Sequence, residues 1–180
     1  MQKLKTTPKN PIVIGITLVA FVTFFISAFV LLPINGRLKS AGYDIVEYEL
    51  AFTADNADKM LHAWGVEGQE VMRESLFLDF PFLISYALAF SGLTLLIGRA
   101  QTGRLAGLGL LLTPAAIIAA ICDSIENLIL FTTLGRDTVS AIQPLAAGIC
   151  ASIKFLLMIG VIIYWIVCGA AWAVRRLRPR

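Results

Sequence analysis

AAIIAAICDSIENLILF, residues 115–131, is apolar enough to lie in a membrane, yet it carries Asp123, Glu126 and Asn127 in its middle. A carboxylate in a hydrocarbon-soluble segment costs from about 2.5 to well over 10 kcal/mol, so two on one helix need partners from elsewhere in the chain. Spacings of three and four residues place Asp123, Glu126 and Asn127 on one side of a helix. On the same side stand Ala119, Ala120, Ala115 and Ala116, a small-residue ridge that lets a second helix pack close. This face is predicted to point inward.

The rest of the chain is built to match. Of its 180 residues 58% are hydrophobic and 15% are charged, where a soluble domain carries roughly one quarter charged residues. Four runs, at about 11–33, 76–97, 105–134 and 141–174, reach the roughly 20 apolar residues that span a bilayer. The predicted fold is a single all-α membrane domain over 1–180, a four-transmembrane-helix bundle with an amphipathic helix in its first extracytoplasmic loop, 34–75. The first run follows Lys3, Lys5 and Lys9 as a signal peptide would, but it is about twice the usual length and lacks a small-x-small cleavage site, so it reads as a retained helix. Cys122, Cys150 and Cys168 all fall inside spans and form no CxxC pair, which marks them as small buried hydrophobes.

Charge sets the expected topology. The lysines before the first span, Arg99 and Arg104 between the second and third, and the tail WAVRRLRPR all lie beside span ends, where the positive-inside bias places them in the cytoplasm. The 35–75 stretch holds eight acids against four bases, which fits the opposite side. Within it DIVEYELAF reads as extended, because Tyr48, Leu50 and Phe52 alternate with Glu47, Glu49 and Ala51. Thr53 then caps a helix with Ala57, Met60, Leu61 and Trp64 on one face and Asp55, Asp58, Lys59 and His62 on the other. Such a helix is expected at the membrane surface or over the bundle mouth, interrupted at Gly65 and Gly68. Pro81 falls in the first turns of the second span, and Pro114 predicts a kink in the third.

Depth connects the polar groups. A rise of 1.5 Å per residue puts Asp79 about 12 Å, Glu126 about 10 Å, Asp123 about 6 Å and Lys154 about 5 Å to the outer side of their span midpoints. All four share the outer half, so one cluster is expected there, with Tyr86, Asn127 and Gln143 as hydrogen-bonding neighbours and Lys154 paired to Asp123 or Glu126. Three acids around one lysine leave a surplus of negative charge for protons, a bound cation or a cationic ligand group. His62, the one histidine, is expected in solvent. The acids are an oxygen-rich set without a transition-metal pattern, and no phosphate loop, nucleophile elbow or zinc motif occurs. Neither a metal, a cofactor nor a nucleic-acid partner is expected.

The run YELAFTADNADKMLHAWG through FLDFPFLISY to AAICDSIENLILF resembles a group of uncharacterised four-span bacterial membrane proteins. In that group a loop helix ending in Trp-Gly, an Asp at the head of the second span and Asp-x-x-Glu-Asn on the third recur together. The resemblance implies the architecture and brings no activity. A looser similarity is to the sterol isomerase and sigma-2 receptor superfamily, which places acids in a pocket between helices. The second span here has no His-x-x-x-Glu pair, so that enzyme's histidine has no counterpart.

Three functions stay open on these residues. The first is binding, with proton-linked transport as an extension, of a small molecule, lipid or cation at Asp79, Tyr86, Asp123, Glu126, Asn127 and Lys154. The second is an intramembrane enzyme acting on a lipid-like substrate. The third is an accessory subunit of a membrane complex. The expected setting is the lipid bilayer of the inner membrane, and transport by so small a unit requires a homodimer.

Overall fold

The computed structural model describes residues 3–177, so that residues 178–180 of the basic tail lie outside the described residues. After a 3₁₀ turn at Lys3–Lys5 come α1 (Asn10–Ser40), α2 (Ile45–Glu49), α3 (Ala54–Ala100), α4 (Gly103–Leu112), α5 (Ala115–Phe131) and α6 (Ile142–Leu177). No strand occurs among the described residues. Four helices are long and apolar enough to cross a membrane: α1, α3, α4 with α5, and α6. The outward faces carry large apolar side chains, Phe29 being 80% exposed and Leu156 69%, which suits hydrocarbon and not water. The fold is the expected all-α four-helix bundle.

The helices overrun the predicted spans on one side. Helix α1 continues through Pro33 to Ser40, about 46 Å at 1.5 Å per residue against a hydrocarbon core of about 30 Å. Helix α3 starts at Ala54, capped by Thr53, whose side chain accepts from Asn56 N at 3.3 Å. The interruption expected in the loop helix is present at Gly65, whose φ of 59° breaks the helical backbone, while Gly68 stays within the helix that resumes there and runs into the second span. Gln69 spans that kink, donating to Leu61 O at 3.1 Å and accepting from Gly135 N at 2.7 Å. Pro81 therefore lies well inside a continuous helix instead of in its first turns. The kink predicted at Pro114 is present as a turn between α4 and α5.

The extended reading of DIVEYELAF is overturned. Asp44 and Glu47 form a reciprocal capping box, Asp44 Oδ1 accepting from Glu47 N at 3.0 Å and Glu47 Oε2 from Asp44 N at 2.8 Å, and this starts α2 at Ile45. The box satisfies two of the donors left open at a helix start, and the local gain outweighs a short alternation. The consequence is that the adjacent residues Tyr48 and Glu49 both become buried, at 1% and 7% exposure.

The 34–75 segment is a packed cap over one end of the bundle. Trp64, Leu61 and Ala57 of α3 meet Ile34 and Leu38 of α1, Tyr48 of α2 and Leu130 of α5 in one apolar cluster. The Tyr48 hydroxyl bonds Thr133 Oγ1 at 2.6 Å, and Trp64 Nε1 donates to Tyr43 O at 3.0 Å. The polar face of that helix also works: Asp58 accepts from Val139 N at 2.9 Å and so ties down the α5–α6 connection. At the opposite end Arg99 donates to Leu4 O, Pro8 O and Asn10 Oδ1, and Arg175 to Gln101. Both described chain ends thus meet the α3–α4 turn.

Candidate functional site

Helix α5 packs along α6 and against α3, while α1 packs on α3. The alanine ridge does what its spacing predicts: Ala115, Ala116, Ala119 and Ala120 are buried, and one turn further on so are Asp123, Glu126 and Asn127. From α6 Lys154 reaches this face, its side chain 9% exposed. The ion cluster lies between the apolar cap and a second apolar layer of Leu83, Tyr86, Ala87, Ala119 and Ala120.

Lys154 Nζ donates to Asp123 Oδ1 at 2.8 Å and to Glu126 Oε1 at 3.2 Å. Its third bond, at 3.1 Å, goes to Glu49 Oε2. An ammonium group has three protons and no lone pair, so Lys154 is fully committed to three carboxylates. Both oxygens of Asp123 are engaged as well, since the second accepts from the Tyr86 hydroxyl at 2.9 Å. Asp79 stands apart from the lysine and, among the described residues, accepts only from Asn127 Nδ2, at 2.6 Å. All six residues singled out from sequence therefore come together, and the Lys154–Asp123 pair is present.

Two expectations change. Gln143 is not a neighbour of the cluster: it donates to Thr132 Oγ1 at 2.7 Å and accepts from Ser140 N at 3.1 Å, at the start of α6. Glu49 was placed on the polar side of an extended loop and is instead the lysine's third carboxylate. The signal that finds it is Asp-x-x-Glu at 44–47, because a helix there turns Glu49 away from solvent. Burial pushes its carboxyl above the ordinary glutamate value, with Lys154 opposing. The neighbouring Tyr48 hydroxyl, in the same cap, is pushed up to about 12, first by burial. His62 is exposed on the cap surface, as expected.

The cluster borders an open space. A cavity of about 430 Å³ is lined on its polar side by Asn35, Glu49, Ser75, Asp79, Tyr86, Asp123 and Lys154. Its other walls are apolar: Phe24, Ala28 and Leu31 from α1, Phe82 and Phe90 from α3, Phe155 and Met158 from α6. The rings interlock, with centroids 5.1 Å apart for Phe24 and Phe82 and 5.6 Å for Phe24 and Phe90. Asn127 and Glu126 stand behind the lining and support it.

No protein-family model, curated protein or solved structure matches this chain.

Proposed function

We propose that this is an inner-membrane protein, with both ends in the cytoplasm, that binds a small ligand or cation in an acid-rich pocket in the outer half of the bilayer. The cavity beside the cluster is what carries the reading. A purely structural ion cluster gains most when the helices close on it, because a desolvated pair repays its burial only through tight geometry. Here a volume within the range of small-molecule sites separates charged groups from aromatic walls. The orientation is supported by the basic end, where Arg99, Arg104, Arg175 and Arg176 gather beside the lysine-bearing N-terminal segment, following the positive-inside bias. Proton-linked transport extends this reading and an intramembrane reaction on a lipid-like substrate replaces it; neither has an observation of its own.

The test is native mass spectrometry and thermal melting of the whole chain purified in an uncharged detergent. Wild type should carry or recruit a bound small molecule. Ala28→Trp, which fills the cavity from α1, should fold and lose it. A wild-type protein that binds no small molecule and no cation, and melts independently of all of them, would leave the accessory-subunit reading.

A further inference from the structure

The cavity is chemically one-sided, and this narrows what fits it. The one cation at its polar end is spent, Lys154 on three carboxylates; the Tyr86 hydroxyl is spent on Asp123 and Asn127 behind it on Asp79, which leaves the neutral Ser75 hydroxyl and Asn35 amide as the donors of the lining. Acceptors remain. Glu49, whose side chain is only 9% exposed, offers Oε1, and Asp79 offers Oδ1, neither of which is hydrogen-bonded among the described residues. An anionic head would meet carboxylates with no free ammonium, and a bare metal ion would leave the aromatic walls unused. No group of three or more His, Cys, Asp and Glu side chains is arranged to hold a metal among the described residues, since Lys154 occupies the centre of the acids.

The lining of the cavity leaves a side approach: Ile45 and Glu49 of α2, residues of α3 and Asp123 of α5 all take part in it. Helices α1 and α6 both line it but do not pack on each other along their lengths. The gap between them opens where the exposed faces are apolar, Leu32 on one edge and Leu156 beyond the other.

We infer that the cavity takes an organic cation with a hydrocarbon tail, a protonated amine amphiphile, arriving from within the membrane between α1 and α6 with Asp79 as its counter-charge. This rests on the binding reading above and adds the ligand class. The amine donates to the free oxygens of Asp79 and Glu49, while the Phe24, Phe82 and Phe90 rings receive the tail and present faces that attract a cation. Asp79 is suited because its one hydrogen-bond partner among the described residues is neutral, and Lys154 makes its ion pairs with the other three acids.

The experiment compares decylamine, decanol and decanoate on the whole chain in an uncharged detergent, reading the concentration at which each raises the melting temperature. Decylamine should act at a concentration lower by roughly tenfold or more, the worth of a charge-assisted hydrogen bond. Asp79→Asn, which keeps an oxygen for Asn127, should remove that advantage and leave the weak response to decanol. Equal potency of decanol or decanoate overturns the cationic assignment while the binding reading stands. An undiminished decylamine preference in a folded Asp79→Asn protein overturns Asp79 as the counter-charge. Binding of inorganic cations with no response to any of the three sinks the amphiphile and spares the pocket, whereas no response to any probe sinks both.

Discussion

The ring of Phe52 lies across the backbone of Gly148, so close that a methyl group on the glycine would stand 2.6 Å from it. Phe52 holds a left-handed φ of 58°, a conformation that costs a residue with a side chain about 1–2 kcal/mol and persists only where the surroundings hold it. It sits three residues after Glu49 and directly before the Thr53 cap of α3. The contact thus fixes the loop that delivers Glu49 to Lys154 on the same helix as Gly148.

Gly148→Ala is therefore expected to destabilise, although a free helix position gains by the same change. Alanine is favoured over glycine in a helix by about 0.8–1 kcal/mol, and Gly160, further along α6 with open space around it, should show that gain. At Gly148 overpacking against Phe52 costs about 1–3 kcal/mol and reverses the sign. Thermal melting of the two variants decides it, and a Gly148→Ala protein more stable than wild type would remove the latch.

Lys154→Met leaves Glu49, Asp123 and Glu126 facing one another without a cation. Removing one partner of a buried charge pair costs about 3–5 kcal/mol, mostly through the charge left behind. The variant should melt early in detergent. Adding Asp123→Asn should restore part of the loss, and Glu126→Gln on top of that should restore more, because two acids remain after the double change. No recovery in either combination would show that these contacts do not hold α5 to α6.

The architecture and five of the cluster's six charged or amide groups were legible because membrane burial leaves few polar residues to place. Asp79, Asp123, Glu126, Asn127 and Lys154 were found by helical period and depth alone, as polar side chains with no lipid-facing alternative. Glu49 was missed since in a polar loop an acid attracts no notice, and its burial depends on a single turn of helix set by Asp44 and Glu47. The place of the cap stayed open between two sites for a related reason. Its apolar face matches a membrane surface and a bundle end equally, and only the contacts of Trp64 with Tyr48 and Tyr43 distinguish them. Gln143 erred the other way: it shares the Lys154 stripe but lies one helix end too far, where Thr132 and Ser140 satisfy it.

Topology is open to direct labelling. On a background in which the three native cysteines are replaced, a cysteine at Asp55, exposed on the cap, should react with an impermeant maleimide from outside intact cells. One at Gln101 should react only after the membrane is opened. Reaction of both from one side would overturn the crossing between them, whereas reaction of Gln101 from outside and of Asp55 only after opening would mean that the basic end faces out, and the pocket would then lie in the inner half.

Glu49 gives the cap a pH dependence whose sign follows from its burial. The folded protein holds its proton above the ordinary value of 4.5, first because burial disfavours the carboxylate. The folded state therefore binds more protons than the unfolded chain as pH rises past 4.5, so unfolding releases protons and stability falls with rising pH through that window. Four other groups face it, Lys154 from α6, Asp123 and Glu126 from α5 and Asp79 from α3, and wild type reports all of them together. Glu49→Gln isolates its share, because the amide oxygen still accepts from Lys154 and nothing titrates. The melting temperature of wild type should therefore drop more between about pH 5 and about pH 8 than that of Glu49→Gln. Parallel profiles over that range would mean that burial does not raise the proton affinity of Glu49. A wild type that also loses more stability than the variant as the pH falls below about 4.5 would mean that the pull of Lys154 outweighs burial, and that Glu49 enters the cluster as a full carboxylate.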